Sequence, residues 1–130
     1  MNVSPTDAYR VASVSCGRDH TLVLLASGKA IGWGGDGSGR VAPDTPEYCS
    51  TAAAPTRPVE VNLHTPLVGT AAGYGVSLGI TATRGVALWG ANAAGIGGRL
   101  ESVTLATPHL VPGIANVRAV GAGEFQFGAI

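Results

Sequence analysis

The sequence predicts an all-β chain built from repeated, antiparallel four-stranded sheets, and three observations carry that prediction. Residues 11–34 (VASVSCGRDHTLVLLASGKAIGWG) recur as residues 67–90 (LVGTAAGYGVSLGITATRGVALWG) at a constant offset of 56 positions, which aligns Gly17 with Gly73 and Trp33 with Trp89. The opening of the repeat returns a third time as residues 117–130, now offset by 50. Periods of this size belong to solenoids and propellers, in which neighbouring units supply the burial that one unit cannot achieve alone. Within each copy, apolar residues alternate over short runs broken by Gly, Asp or Ser, the pattern of strands rather than helices. Finally, 20 glycines and 8 prolines among 130 residues, with only 12% charged, describe a chain of many turns.

The elements follow in order. Residues 11–15 give a first strand, 20–25 a second and 29–34 a third, with Ser27-Gly28 between the last two at hairpin spacing. The segment Pro58-Val59-Glu60-Val61, echoed as Pro108-His109-Leu110-Val111, adds a fourth strand; a proline at its first position suits an edge, where a missing donor costs least. Leu22, Leu24 and Ile31 are expected on one face and Thr21 and Val23 on the other, both largely uncharged, so both faces should be covered by neighbouring sheets. Gly32 and Gly79 interrupt strands, which predicts a close approach, here toward a central axis. The chain divides into an N-terminal segment (1–10), a first repeat (11–66), a second (67–116) and the start of a third (117–130).

Composition narrows the function. Hydrophobic residues make up 45%, ample for a core, and eight basic residues balance eight acidic ones without forming a basic stripe, so no nucleic-acid partner is expected. No apolar run approaches the roughly 18 to 20 residues of a membrane span, and the start MNVSPTDAYR lacks a charged, then apolar, leader pattern. No membrane association and a cytoplasmic location are expected. One lysine beside seven arginines, with abundant Ala and Gly, suggests a G+C-rich genome and a bacterial source.

The runs Val14-Ser15-Cys16-Gly17-Arg18-Asp19-His20-Thr21-Leu22, Ser27-Gly28-Lys29-Ala30-Ile31-Gly32-Trp33-Gly34 and Asp36-Gly37-Ser38-Gly39 resemble the regulator of chromosome condensation repeat. That family's pattern is Cys/Ala-Gly-x-x-His-Ser/Thr-Leu, then Gly-x-Val-Tyr-x-Trp-Gly, an Asn-x-x-Gly loop and a later Pro-x-x-Val. The second copy keeps Ala72-Gly73, Ser77-Leu78, Trp89-Gly90, Asn92 and Gly95, but carries Val76 in place of the histidine and Arg84 in place of the turn glycine. The third keeps Ala122-Gly123 and has Gln126 at the histidine. The resemblance implies β-propeller blades of four antiparallel strands, in a ring of about seven blades, with tryptophans and Leu-rich strands in the blade cores. Two full repeats leave the ring incomplete within one chain, and Ile130, at the position of Leu24, falls inside a blade. Such an edge invites pairing, so the expected partner is another copy of the chain, or a longer parent chain. Three copies of about two and a third repeats would approach the full ring, a trimer.

Candidate chemistry is sparse. His20 begins an apolar strand and is replaced by Val76 and Gln126 in the other copies, which favours a structural cap of the Gly17-Arg18-Asp19 turn over a base or ligand. Cys16, aligned with Ala72 and Ala122, is expected to be a small buried hydrophobe rather than a nucleophile. His20, His64, His109, Cys16 and Cys49 lack the close spacings of zinc sites. The loop Gly34-Gly35-Asp36-Gly37-Ser38-Gly39 lacks the Gly-Lys-Ser/Thr ending and following helix of a phosphate loop. No catalytic residue, cofactor or metal is therefore expected. The irregular segment 42–57 is the candidate contact loop, with Asp44, Glu47 and Tyr48 flanked by Arg40, and Arg99 and Glu101 on its shorter counterpart. These features favour a non-catalytic protein-interaction scaffold. The resemblance also implies alternatives: nucleotide exchange on a small GTPase, inhibition of a β-lactamase-like enzyme, or carbohydrate binding.

Overall fold

The computed structural model describes residues 9–35, 40–41, 57–61, 63–91, 104–124 and 126–130. Among the described residues ten strands follow one another: β1 (Val11–Cys16), β2 (His20–Leu25), β3 (Ala30–Gly34), β4 (Val59–Val61), β5 (Leu67–Ala72), β6 (Val76–Thr81), β7 (Val86–Ala91), β8 (Thr104–Leu110), β9 (Val120–Ala122) and β10 (Phe127–Ala129). β1 to β4 form one antiparallel sheet in chain order, β5 to β8 a second, and β9 and β10 an antiparallel pair.

Local bonds explain why the copies fold alike. In each, the glycine opening the first turn donates its N–H to the carbonyl three residues on: Gly17 to His20 at 2.8 Å, Gly73 to Val76 at 2.8 Å and Gly123 to Gln126 at 2.9 Å. The second turn needs a left-handed residue, supplied by Gly28 (φ 87°) in the first sheet and by Arg84 (φ 65°) in the second. A non-glycine residue there carries about 1–2 kcal/mol of strain. The position is held because its carbonyl links one repeat to the next: Gly28 accepts from Leu67 N–H at 2.8 Å, and Arg84 accepts from Val117 N–H at 2.9 Å. Even the register shift recurs, between Val11 and Ser13 in β1 and between Leu67 and Gly69 in β5.

The sheets stack face to face. Leu22, Leu24, Ala30 and Val61 of the first sheet bury against Leu67, Ala87 and Trp89 of the second. Ala71, Leu78, Ile80, Val86 and Leu88, on the second sheet's other face, bury with Val76 against Val117 and the partly buried Val120, Ala122 and Phe127. Each fully buried large side chain contributes roughly 1.5–3 kcal/mol, so stability resides between sheets as much as within them.

Several expectations are corrected. Ile31 pairs with Val23, and paired residues share a face, so Ile31 lies opposite Leu22 and Leu24 rather than beside them. Cys16 is exposed rather than buried, because it shares the face of Thr21 and Trp33, on which no further described sheet packs. The last strand of the second sheet begins at Thr104, so Pro108 lies inside β8 rather than at its start. Its ring is accommodated by the break in register between Leu88 and Gly90, on an edge strand that needs no donor outward. The tight approach at Gly32 is to Leu22 and Val41, and at Gly79 to Leu67, all neighbouring residues rather than groups on an axis. The close backbone approach between consecutive sheets belongs instead to Gly17 and Gly73: a Cβ on Gly73 would lie 2.6 Å from the carbonyl oxygen of Gly123, and one on Gly17 would collide with that of Gly73.

Candidate functional site

The first junction is held by a polar cluster centred on His20. Its side chain is 0% exposed, and Nε2 lies 2.9 Å from the hydroxyl of Ser77 on the next sheet. That hydroxyl donates its only proton to the carbonyl of Arg40 at 2.6 Å, so it accepts from His20 Nε2–H, which fixes the tautomer and leaves Nδ1 a bare lone pair. Nδ1 has no hydrogen-bond partner and sits 3.8 Å from Asp19 Oδ1. The carboxylate is instead taken by Arg40 Nη1 at 2.6 Å. The Arg40 carbonyl accepts a second bond, from Trp89 Nε1 at 2.9 Å. Burial, assisted by the nearby Arg40 charge, outweighs the attraction of Asp19 and lowers the imidazole pKa from 6.5 to about 4. At neutral pH the ring is uncharged and structural.

This assigns two sequence-level candidates. The turn that His20 was expected to cap is closed by its backbone carbonyl, while its ring reaches across to the second sheet. Arg40, expected on a contact loop, has a side chain only 13% exposed and committed to Asp19. Asp44, Glu47, Tyr48, Arg99, Glu101 and Cys49 lie outside the described residues. Among the described residues, no three His, Cys, Asp or Glu side chains converge on one point.

Two surfaces remain. Along the line of turn glycines, the following residue varies from copy to copy as Arg18, Tyr74 and Glu124. The Arg18 guanidinium lies over the Tyr74 ring, 4.3 Å from its centroid, and donates to the Tyr74 hydroxyl. The backbone repeats the step: Arg18 N–H donates to Gly73 O at 3.2 Å, and Tyr74 N–H to Gly123 O at 3.3 Å. The second surface is the outer face of the first sheet, where Val14 is 60% and Val11 59% exposed and Cys16 is also open. Trp33 is half-buried there, whereas Trp89, its counterpart on the same face of the second sheet, is 0% exposed beneath the first sheet. A groove of about 480 Å³ runs along this face, between Tyr9, Val11, Leu25 and Ile31 and the Lys29–Glu60 ion pair of 3.0 Å.

The sequence signal for these groups was the covariation between copies. Position 20 reads His20, Val76, Gln126 while its neighbour reads Thr21, Ser77, Phe127. The junction pairs are His20 with Ser77, a hydrogen bond, and then Val76 and Phe127 in one apolar cluster.

Consecutive four-stranded sheets stacked face to face along a line of glycines define a protein of β-propeller blades. Residues 11–40 match the Regulator of chromosome condensation (RCC1) repeat, and the later copies continue the same fold. Solved structures agree with this fold. A crystal structure of Kap60 bound to yeast RCC1 (Prp20) is similar at a TM-score of 0.78 and 23% identity, over 95% of this chain and 31% of that one. Prp20p from Saccharomyces cerevisiae, studied for its binding to Gsp1p and histones, matches at 0.78 and 24%, over 95% and 32%. Human WBSCR16 matches at 0.79 and 19%, over 94% and 31%. The chain spans about a third of the length of these structures. No curated protein matches it in sequence.

Proposed function

We propose that the chain is a non-catalytic protein-interaction scaffold whose propeller blades are completed by further blades, supplied by other copies of itself. The observation that carries this reading is the contrast between two equivalent tryptophans. Trp89 is fully buried because a blade covers its sheet, and Trp33 is not. The apolar face around Trp33 is of the kind that marks a protein contact, and the contact it repeats within the chain is blade on blade. Light scattering over a range of concentrations tests this: assembly of the 12.9 kDa chain into a multimer is expected. A stable monomer at every concentration would sink self-completion.

A second reading draws on the likeness to yeast RCC1, whose binding to Gsp1p was examined: regulation of a small GTPase by nucleotide exchange. Accelerated nucleotide release at substoichiometric concentrations of this protein would favour it. Stoichiometric binding without turnover favours the scaffold.

A further inference from the structure

We propose that the outer face of the first blade receives the β9–β10 pair of a second copy, head to tail, with Gln126, Glu124 and Gly123 of one copy meeting Thr21, Arg18 and Cys16 of the next. This rests on the self-completion reading and specifies its contact.

The two junctions inside the chain provide the template. At each, the turn of one blade lies against the first two strands of the following blade in a constant register. Arg18 meets Tyr74 and His20 meets Ser77 at the first junction; Gly73 approaches Ala122, and Tyr74 N–H bonds Gly123 O, at the second. Advancing one blade, the turn of β9–β10 falls against β1 and β2 of a second copy. Each resulting pair is chemically matched.

Glu124 would face Arg18 of the next copy, opposite charges in the place where Arg18 meets Tyr74 within the chain. Gln126 would face Thr21. Its amide folds back over its own turn glycine as the His20 ring does: a Cβ on Gly123 would lie 3.0 Å from Gln126 Nε2, and one on Gly17 would lie 2.5 Å from His20 Cε1. The amide, a donor, thus lies over its turn glycine as the imidazole ring does, and Thr21 stands where Ser77 stands, its side chain without a hydrogen-bond partner among the described residues. Ile130, 83% exposed at the position of Leu24, adds an aliphatic contact toward the outer face. Cys16 is exposed for the same reason: it occupies the position of Ala122, and the glycine that would cover it is Gly123 of another copy. Such a contact is heterologous, and successive copies either close a ring or extend a filament.

The experiment is disulfide trapping of the whole chain. Inside the chain, a Cβ on Gly73 would lie 3.1 Å from the Cβ of Ala122, near the roughly 3.5–4.5 Å span of a disulfide. Gly123→Cys, with Cys49→Ser, should therefore cross-link to Cys16 of the next copy under mild oxidation and give a ladder of dimers and trimers that reductant removes. Adding Cys16→Ser should abolish the ladder. No ladder, or one that survives Cys16→Ser, overturns the proposal. If light scattering still shows a multimer, copies meet through another surface and self-completion stands without this contact; a monomer throughout removes both. A charge exchange guards against misfolding of the cysteine variant: Glu124→Arg should weaken association about five-fold, and Arg18→Glu in the same chain should restore it. Failure of the double variant to restore association also overturns the pairing.

Discussion

Acid should open the first blade junction through His20. The ring is neutral in the fold, with a pKa near 4, and takes a proton at 6.5 once unfolded. Between those two values the unfolded chain binds about one proton more than the folded one, so stability falls as pH falls, by roughly 1.4 kcal/mol per unit. The contribution is fully present above pH 6.5 and is lost on the way down to pH 4, a total of about 3 kcal/mol, or roughly 10 °C in Tm for a domain of this size. His20→Val, which copies the residue the second blade carries at this position, removes the titration while keeping the turn bond from Gly17 N–H to the carbonyl at position 20. Thermal melts of both proteins at half-unit steps from pH 7 to pH 4 separate this group from every other ionisable residue, all of which both proteins share. The wild-type curve should fall more steeply by the equivalent of one proton. Parallel curves would refute the assignment of a buried, neutral His20 with its bare Nδ1 beside Asp19.

Gly73→Ala should cost about 2–4 kcal/mol, because the added methyl would press on the Gly123 carbonyl at 2.6 Å and strain the bond from Tyr74 N–H; an unchanged Tm would refute the close approach between the second sheet and the β9–β10 pair. Arg84→Gly should raise stability by about 0.5–1 kcal/mol, the relief of left-handed strain less the entropy of a glycine, and a lower Tm would show that the Arg84 side chain carries more than its backbone. Ser77→Ala should cost about 1–3 kcal/mol in urea unfolding, since His20 Nε2–H and the Arg40 carbonyl both lose a partner; a neutral result would mean that water replaces the hydroxyl. Val14→Asp, on the open face at 60% exposure, should leave Tm within a few degrees while reducing self-association in light scattering; unfolding of this variant would show the face to be part of the blade's own core.

The strands and turns were legible because their determinants are local. Alternation gave β2 and β6, Ser27-Gly28 gave the hairpin, and the offset of 56 carried each assignment to the second blade. What escaped depends on atoms that sequence patterns do not display. His20 bonds a residue 57 positions away in another sheet, and the hub of that cluster is the backbone carbonyl of Arg40, which looks the same in every residue type. The face of Ile31 followed from hairpin register, which a composition of mixed apolar residues on both faces leaves undetermined. Cys16 was misplaced for a different reason. It lies in a strand and aligns with Ala72 as expected, but burial is a property of what lies opposite: the first sheet lies before Ala72, whereas no described sheet lies before Cys16.

The same distinction explains the variation between copies. If position 20 acted within its own blade, replacing His with Val or Gln should be compensated by neighbours in that blade. Instead the compensation lies across the junction: His20 faces a hydroxyl, and Val76 lies in the apolar cluster against which Phe127 packs. A hydroxyl buried against valine, or phenylalanine against the imidazole N–H, would leave a polar group unsatisfied at a cost of about 1–3 kcal/mol, so each turn is matched to one kind of successor. The first junction is thus matched by a polar pair and the second by apolar packing. On the contact proposed above, Thr21, a hydroxyl on a face that no described sheet covers, would take its donor from Gln126, which an apolar residue such as Val76 could not replace.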